Sequence, residues 1–221
     1  MHLRTDGNVR VDATADPQMG TNSYLVQDLG SGDAVLIDAN LDPEAVLAMV
    51  AERGVTPRAI LLTHSDFDHI AGLQAVREAW GRPPVAVGEP ELENLREGKA
   101  LREEMPFAAA AEPDAEALPA PGSYRVGSLS FEVLPTPGHS PGGVTLVLGR
   151  LLFTGDALFQ GSIGRFDLHN SDGRALLQGI QEQLLTRDDG DVVLPGHGPA
   201  STIGDERRGN PFLKAAGLEF G

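Results

Sequence analysis

The chain has 221 residues, a length that suits one domain with a layered core and scarcely two. A formal charge of -15 with dispersed basic residues disfavours nucleic acid as a partner, and no apolar run reaches the roughly 18 to 20 residues of a membrane span. Cysteine is absent, which excludes a disulfide framework, a thiol nucleophile and a zinc–thiolate site, so any metal must rest on His, Asp and Glu.

In chain order, Met1 to Gly20 is polar and lacks the basic, apolar and small-residue succession of a secretory signal, so a cytoplasmic protein is expected. Short β-rich runs follow at Tyr24 to Gln27 and Ala34 to Asp38. Asp42 then caps a helix with Pro43 at its first position, an apolar face of Ala45, Val46, Met49 and Val50, and Gly54 as its stop. Ala59 to Leu62 reads as a strand, Ile70 to Trp80 as a helix, and Val85 to Val87 as a strand. The segment Glu89 to Pro121, rich in Glu, Ala and Pro with one helix near Pro90 to Arg102, reads as a surface excursion or a lid within the single domain 1–221. Strands are expected again at Phe131 to Leu134, Thr145 to Leu148, Leu151 to Thr154 and Val192 to Leu194. An amphipathic helix spans Arg174 to Leu185, and the chain closes from Thr202 with a helix or arm. Alternating strands and helices define an α/β (α+β) chain.

Ligand-type residues gather where apolar runs end. Ala59 to Leu62 leads into Thr63-His64-Ser65-Asp66-Phe67-Asp68-His69, with four potential ligands in six residues. In extended chain His64, Asp66 and Asp68 project the same way, so imidazole and carboxylate can converge on a cation at about 2 Å. Pro137-Gly138-His139-Ser140-Pro141-Gly142-Gly143 places one histidine at the apex of a tight loop, and Thr154-Gly155-Asp156 and Pro195-Gly196-His197 each end a buried strand in one more such residue. Singly, each would be read as a hydrogen-bonding loop residue, as Asp38 is; jointly they predict a metal site.

These motifs carry a resemblance. Asn22 to Val26, Leu36 to Asp38, Thr63 to Gly72, Pro135 to Gly143, Phe153 to Asp167 and Leu194 to Gly198 follow in order those of metallo-β-lactamase-superfamily hydrolases, and the chain looks most like the short bacterial glyoxalase II-like (hydroxyacylglutathione hydrolase-like) members. Thr202 to Arg207 and Asn210 to Leu213 resemble the C-terminal signature of that subfamily. The resemblance implies a four-layer αββα sandwich and two divalent metal ions, zinc first. His64, the next-but-one residue Asp66 and His139 would hold the first ion, Asp68, His69 and His197 the second, and Asp156 would bridge them. Metal-bound hydroxide would attack the carbonyl of a thioester or other activated ester of a small metabolite, with Asp68 orienting the hydroxide or handling its proton. The chain is too short for an added helical glutathione-binding domain, so glutathione is not implied.

Asp66 departs from the pattern, the family usually having histidine there. With it, two divalent ions, three carboxylates and a hydroxide sum to zero charge, where two carboxylates leave one positive charge; harder ions such as iron or manganese are then favoured. His64, His139 and Asp156 are also the two-histidine, one-carboxylate set of non-haem iron oxygenases, and the superfamily's persulfide dioxygenases resemble the chain in keeping a single iron on the matching three positions, which makes such an oxidoreductase the second reading. A metal-binding protein without turnover is the third reading. Among substrate contacts, Arg165 could meet an anion, with a structural salt bridge the stronger reading; Tyr24 and Phe159 could line the pocket, with core or rim packing at least as good a reading. His169, a possible proton shuttle, reads better as an exposed loop residue.

Overall fold

The computed structural model describes residues 2–102 and 110–217, and its described apolar runs become strands buried on both faces. Strands β1 (His2–Asp6), β2 (Val9–Ala15), β3 (Asn22–Asp28) and β4 (Ala34–Ile37) form an antiparallel meander, to which β5 (Ile60–Leu61), β6 (Val85–Gly88) and β7 (Glu116–Leu118) add in parallel. Between them lie helices α1 (Pro43–Ala51), α2 (Phe67–Ile70), α3 (Leu73–Ala79) and α4 (Glu89–Glu97). α1 begins where the sequence predicts: the Asp42 carboxylate accepts from the backbone N–H of Ala45, and Gly54 turns the chain away at φ 64.

The second sheet is built from β8 (Gly122–Val126), β9 (Leu129–Pro135), β10 (Val144–Leu148) and β11 (Leu151–Gly155). After a small hairpin of β12 (Leu158–Phe159) and β13 (Ser162–Ile163), it is completed by β14 (Val192–Pro195), parallel to β11, and β15 (Ser201–Thr202). Helix α5 (Gly173–Gly179) runs on into a wider π-type stretch at Ile180–Leu184, and α6 (Ile203–Gly209) and α7 (Pro211–Ala215) close the chain.

The two-residue period of the strands sorts their side chains into three cores. Tyr24, Val26, Ile37, Leu61 and Ala86 of the first sheet meet Phe131, Val133, Leu146 and Phe153 of the second. Leu25, Leu36, Ile60 and Val85 turn outward under the first-sheet helices, where Val46, Met49 and Val76 cover them, and Leu152 and Val193 turn outward under Leu176, Ile180 and Ile203. The layers are therefore helix, sheet, sheet, helix, as the family resemblance implies. Because β4 and β5 run parallel, and β9, β11 and β14 share one direction, the carboxyl ends of these strands form the site-bearing edges of the two sheets. Hydrogen bonds from Asn22 N to Gly196 O at 2.7 Å and from Val144 N to Thr63 O at 2.9 Å join those edges across the sandwich.

Three expectations change. The helix at 70–80 is two pieces, because the chain passes Gly72 against the Asn40 carbonyl, where a Cβ would lie 2.5 Å from that oxygen. The predicted helix at 174–185 widens at Ile180. Among the described residues of segment 89–121, read as a surface excursion, several are built into the body: α4 buries Glu91 and Leu95, Arg102 and Glu112 are buried, and β7 extends the first sheet beside β6. Residues 103–109, which the lid reading includes, lie outside the described residues.

The far end of that segment is fastened by Arg77 of α3, which is fully buried and donates from Nε to Pro83 O at 3.0 Å. Its guanidinium also pairs with Glu112 and forks onto Asp114 at 3.0 and 2.8 Å, while Arg82 reaches Glu112 at 2.7 Å. Replacing Arg77 by Met should destabilise the protein by about 3 kcal/mol in urea denaturation, the low end of what breaking a buried pair costs, since Arg82 still neutralises Glu112.

Candidate metal centre

The ligand-rich segment after β5 stays extended as far as Asp66 and then turns into α2 at Phe67. The strict alternation that extended chain would impose on His64, Asp66 and Asp68 is thereby broken. His64, His139 and Asp156 form one group whose nearest ligand atoms lie within 4.8 Å of one another, and Asp68, His69 and His197 form a second to the same limit. Asp156 faces both: Oδ1 lies 3.3 Å from His69 Nε2, and Oδ2 lies 3.5 Å from His139 Nε2 and 3.4 Å from His197 Nε2. Asp66 Oδ2 approaches the first group, 2.9 Å from His139 Nε2 and 3.6 Å from His64 Nε2. The seven predicted ligands therefore converge at one edge of the sandwich. Close approach requires the glycines of these loops. A Cβ at Gly196 would stand 2.1 Å from Asp156 Oδ1, and Gly138, at φ 130, lies where a Cβ would be 2.2 Å from the backbone nitrogen of Leu176.

All four imidazoles are tied off at Nδ1. His69 Nδ1 meets Asp38 Oδ2 at 2.9 Å, His139 Nδ1 meets Arg165 O at 2.8 Å, and His197 Nδ1 meets Met19 O at 3.2 Å. These partners can only accept, so Nδ1 carries the proton in each. His64 Nδ1 lies 3.1 Å from Thr63 Oγ1, whose own hydrogen goes to Asp38 Oδ2 at 2.8 Å, which gives the same tautomer. The four Nε2 atoms are left facing the three carboxylates. The buried atoms His64 Nε2, His69 Nε2 and Asp156 Oδ1 have no hydrogen-bond partner. Buried polar atoms are almost always paired, so converging orphans of this kind suit cation binding, and the donor set fits two divalent ions.

Asp38, which sequence reading left among ordinary loop residues, supports this arrangement. At a left-handed backbone position (φ 56), one carboxylate accepts from His69, Thr63 Oγ1 and Thr63 N. Thr21 donates to Asp68 Oδ2 at 2.6 Å. Glu91 of α4, fully buried, accepts from Ser65 N at 2.6 Å, Ser65 Oγ at 2.7 Å and Gly142 N at 2.8 Å, bracing the His64 loop against the His139 loop. Arg102 grips the Asp66 carboxylate through Nε at 2.7 Å and Nη2 at 2.8 Å.

The electrostatics are those of a site awaiting positive charge. Burial alone would raise the Asp156 and Asp68 carboxyls, yet the neighbouring histidines hold both below the usual range, and His139, His64 and Arg102 do the same for Asp66. Conversely, burial would lower His197, but hydrogen bonds to Asp156 and Asp68 push it up to about 10, and Asp68 and Asp38 raise His69.

The proposed substrate contacts fare unequally. Tyr24 is packed in the inter-sheet core, its hydroxyl donating to Pro195 O at 2.6 Å and its ring edge-on to Phe153, and it lines a groove with Ala13, Asn22 and Ala200. Arg165 is exposed and forks onto Asp167 at 3.0 and 3.1 Å, as a surface salt bridge. Phe159 stands at the rim, edge-on to the His197 ring with centroids 5.9 Å apart. The carbonyl of His169 accepts from Arg102.

The metallo-beta-lactamase superfamily model matches residues 16–197, and the chain belongs to that superfamily. It is 36% identical over 201 residues to the probable metallo-hydrolase YqgX of Bacillus subtilis, covering 89% of this chain and 94% of that one. It is 32% identical over 188 residues to the hydroxyacylglutathione hydrolase GloC of Haemophilus influenzae, covering 83% and 88%. Among solved structures, TTHA1623 in a di-iron-bound form superposes with a TM-score of 0.80 at 36% identity, covering 92% of this chain and all (100%) of that one. ETHE1 from Myxococcus xanthus does so with a TM-score of 0.75 at 31% identity, covering 91% and 83%. Among the described residues, no helix is long and apolar enough to cross a membrane.

Two outcomes test the centre. Asp38→Asn turns an amide donor towards groups that themselves donate, and should weaken metal retention about 10- to 100-fold in chelator competition with the fold intact by circular dichroism. Because, against burial, the neighbouring carboxylates raise His64, His69 and His197 above the ordinary imidazole range, loading at pH 7 to 8 should release protons, and apparent affinity should fall as the pH falls; calorimetry in buffers of different ionisation enthalpy measures both.

Proposed function

We propose that the chain is a dinuclear metallohydrolase that cleaves a thioester or another activated ester of a small metabolite. The observation that carries this is Asp156, whose two oxygens face the two ligand groups at once. Divalent ions held there would supply a nucleophilic water at neutral pH and polarise the substrate carbonyl. The protein's own groups do the rest. Nδ1 partners fix the ring planes of His64, His69, His139 and His197. Thr21 holds the Asp68 carboxylate, 3.2 Å from His197 Nε2, in a position to orient that water or receive its proton. Phe159 gives the substrate an apolar surface beside His197. That GloC is a hydroxyacylglutathione hydrolase supports the reaction class. Zinc is the first choice of metal, and the di-iron form of TTHA1623 supports iron as the next, with manganese also suited to the extra carboxylate of Asp66.

A second reading has its own support. His64, His139 and Asp156 are a two-histidine, one-carboxylate set, and the fold matches ETHE1. The two readings separate in one assay: protein loaded with zinc, iron or manganese is given a panel of thioesters without oxygen, and thiol release is followed. Turnover is expected without oxygen, with kcat falling at least ~100-fold in Asp68→Asn, as for loss of a proton-handling group. One iron per chain, with oxygen uptake matched to persulfide consumed and no thioester cleavage, would establish the oxygenase reading instead.

A further inference from the structure

Arg102 has no counterpart in the sequence-level reading of the site, yet it is as deeply placed as the ligands, at 3% exposure. A guanidinium carries five N–H donors in a rigid fork, and here all five are used. Nε donates to Asp66 Oδ1; Nη2 donates to Asp66 Oδ2 and, at 2.7 Å, to His139 O; Nη1 donates to His169 O and, at 3.2 Å, to Ser171 Oγ. Ser171 Oγ in turn donates to His139 O at 2.7 Å. The arginine is thus saturated by the protein and has no donor left for a substrate anion. It bonds to Asp66 and to the backbone of His139, two of the residues that converge on the first ligand group.

This contact changes the charge at that group. Asp66 Oδ2 stands 2.9 and 3.6 Å from the Nε2 atoms of His139 and His64, so a formal negative charge lies against two imidazoles and near Asp156. A buried carboxylate and a buried guanidinium in a bidentate pair are together neutral, like an imidazole, and such pairs are costly to break by removing one partner.

We propose that Arg102 and Asp66 work as one unit of the metal centre: Arg102 grips both oxygens of the carboxylate and cancels its charge, and Oδ2, which Nη2 shares with His139, is the oxygen that faces the first group. Arg102 is accordingly a positioning residue, acting through Asp66 and His139. The inference rests on the metal-centre reading and not on any reaction.

A rescue experiment tests it. Asp66→His supplies a neutral ligand but strands the buried guanidinium beside the cations, so chelator competition should show retention of the first zinc ion weakened at least ~10-fold. Adding Arg102→Gln, which is neutral and can still donate to His139 O, should return retention to within a few-fold of the parent. Zinc per chain and melting temperature, with and without zinc, are read for all variants. If the Gln double variant does not fold, Asp66→His with Arg102→Met makes the same comparison. Full retention in Asp66→His alone, or a folded double variant no better than the single, would overturn the pairing. A parent protein that holds two ions and hydrolyses nothing would sink the hydrolase reading and leave this one standing.

Discussion

Three carboxylates and four imidazoles share one edge of the sandwich, five of the seven buried, and the surrounding structure is arranged to make that crowding tolerable. Like charges a few ångström apart in a poorly solvated site repel strongly, so each carboxylate must be met by fixed donors or by cations. Thr21 meets Asp68, Arg102 meets Asp66, and the histidines meet Asp156. The imidazoles face the complementary demand that one nitrogen be free. Asp38, Thr63, Arg165 O and Met19 O satisfy it by holding the other nitrogen. Ring orientation at the centre is thus decided one shell out, by residues that touch no metal position.

The topology supplies the rigidity this needs. Ligands come from both sheets, so the two halves must be fixed relative to each other to within a fraction of an ångström. The apolar inter-sheet core provides bulk registration, and a few directional bonds at the edge refine it. Asn22 Nδ2 reaches Pro195 O and Gly198 O at 3.0 and 2.9 Å, and Tyr24 bonds Pro195 O from inside the core. Tyr24 therefore does serve the site, by setting the strand end that presents His197. Glu91 and Arg102, on the segment between β6 and β7, brace the His64 and His139 loops to each other.

That segment also shows where sequence legibility ended. The ligands were visible because they cluster within a few residues of the ends of apolar runs, which is a local pattern. Alternating strands and helices were visible for the same reason, while the four-layer arrangement came from the family resemblance. Strand β2 was not visible, because it holds no continuous apolar run: Val9, Val11, Ala13 and Ala15 alternate with Arg10, Asp12 and Thr14, and Arg10 and Asp12 pair with each other at 2.7 Å. Glu91 and Arg102 look, in a Glu- and Ala-rich stretch, like solvated surface charges. Their burial depends on partners 26 to 51 residues away for Glu91 and 36 or more for Arg102, and no local period encodes that. Asp38 was misjudged differently: its role rests on a left-handed backbone turn that aspartate tolerates but does not advertise.

The pairing of Arg102 with Asp66 also alters the reasoning about the metal. Taken alone, a third carboxylate reduces the net charge of a two-ion site, which would make bound water less acidic and weaken the hydrolytic case. Counting the buried guanidinium that contacts the carboxylate restores the single positive charge a two-carboxylate site would carry. What Asp66 then changes is the donor atom, an oxygen in place of a nitrogen, and any preference for a harder ion rests on donor type and not on charge. A site of this kind keeps the electrostatic drive for water activation while offering its first ion a harder donor, a combination that neither a histidine nor an unpaired aspartate at position 66 would give.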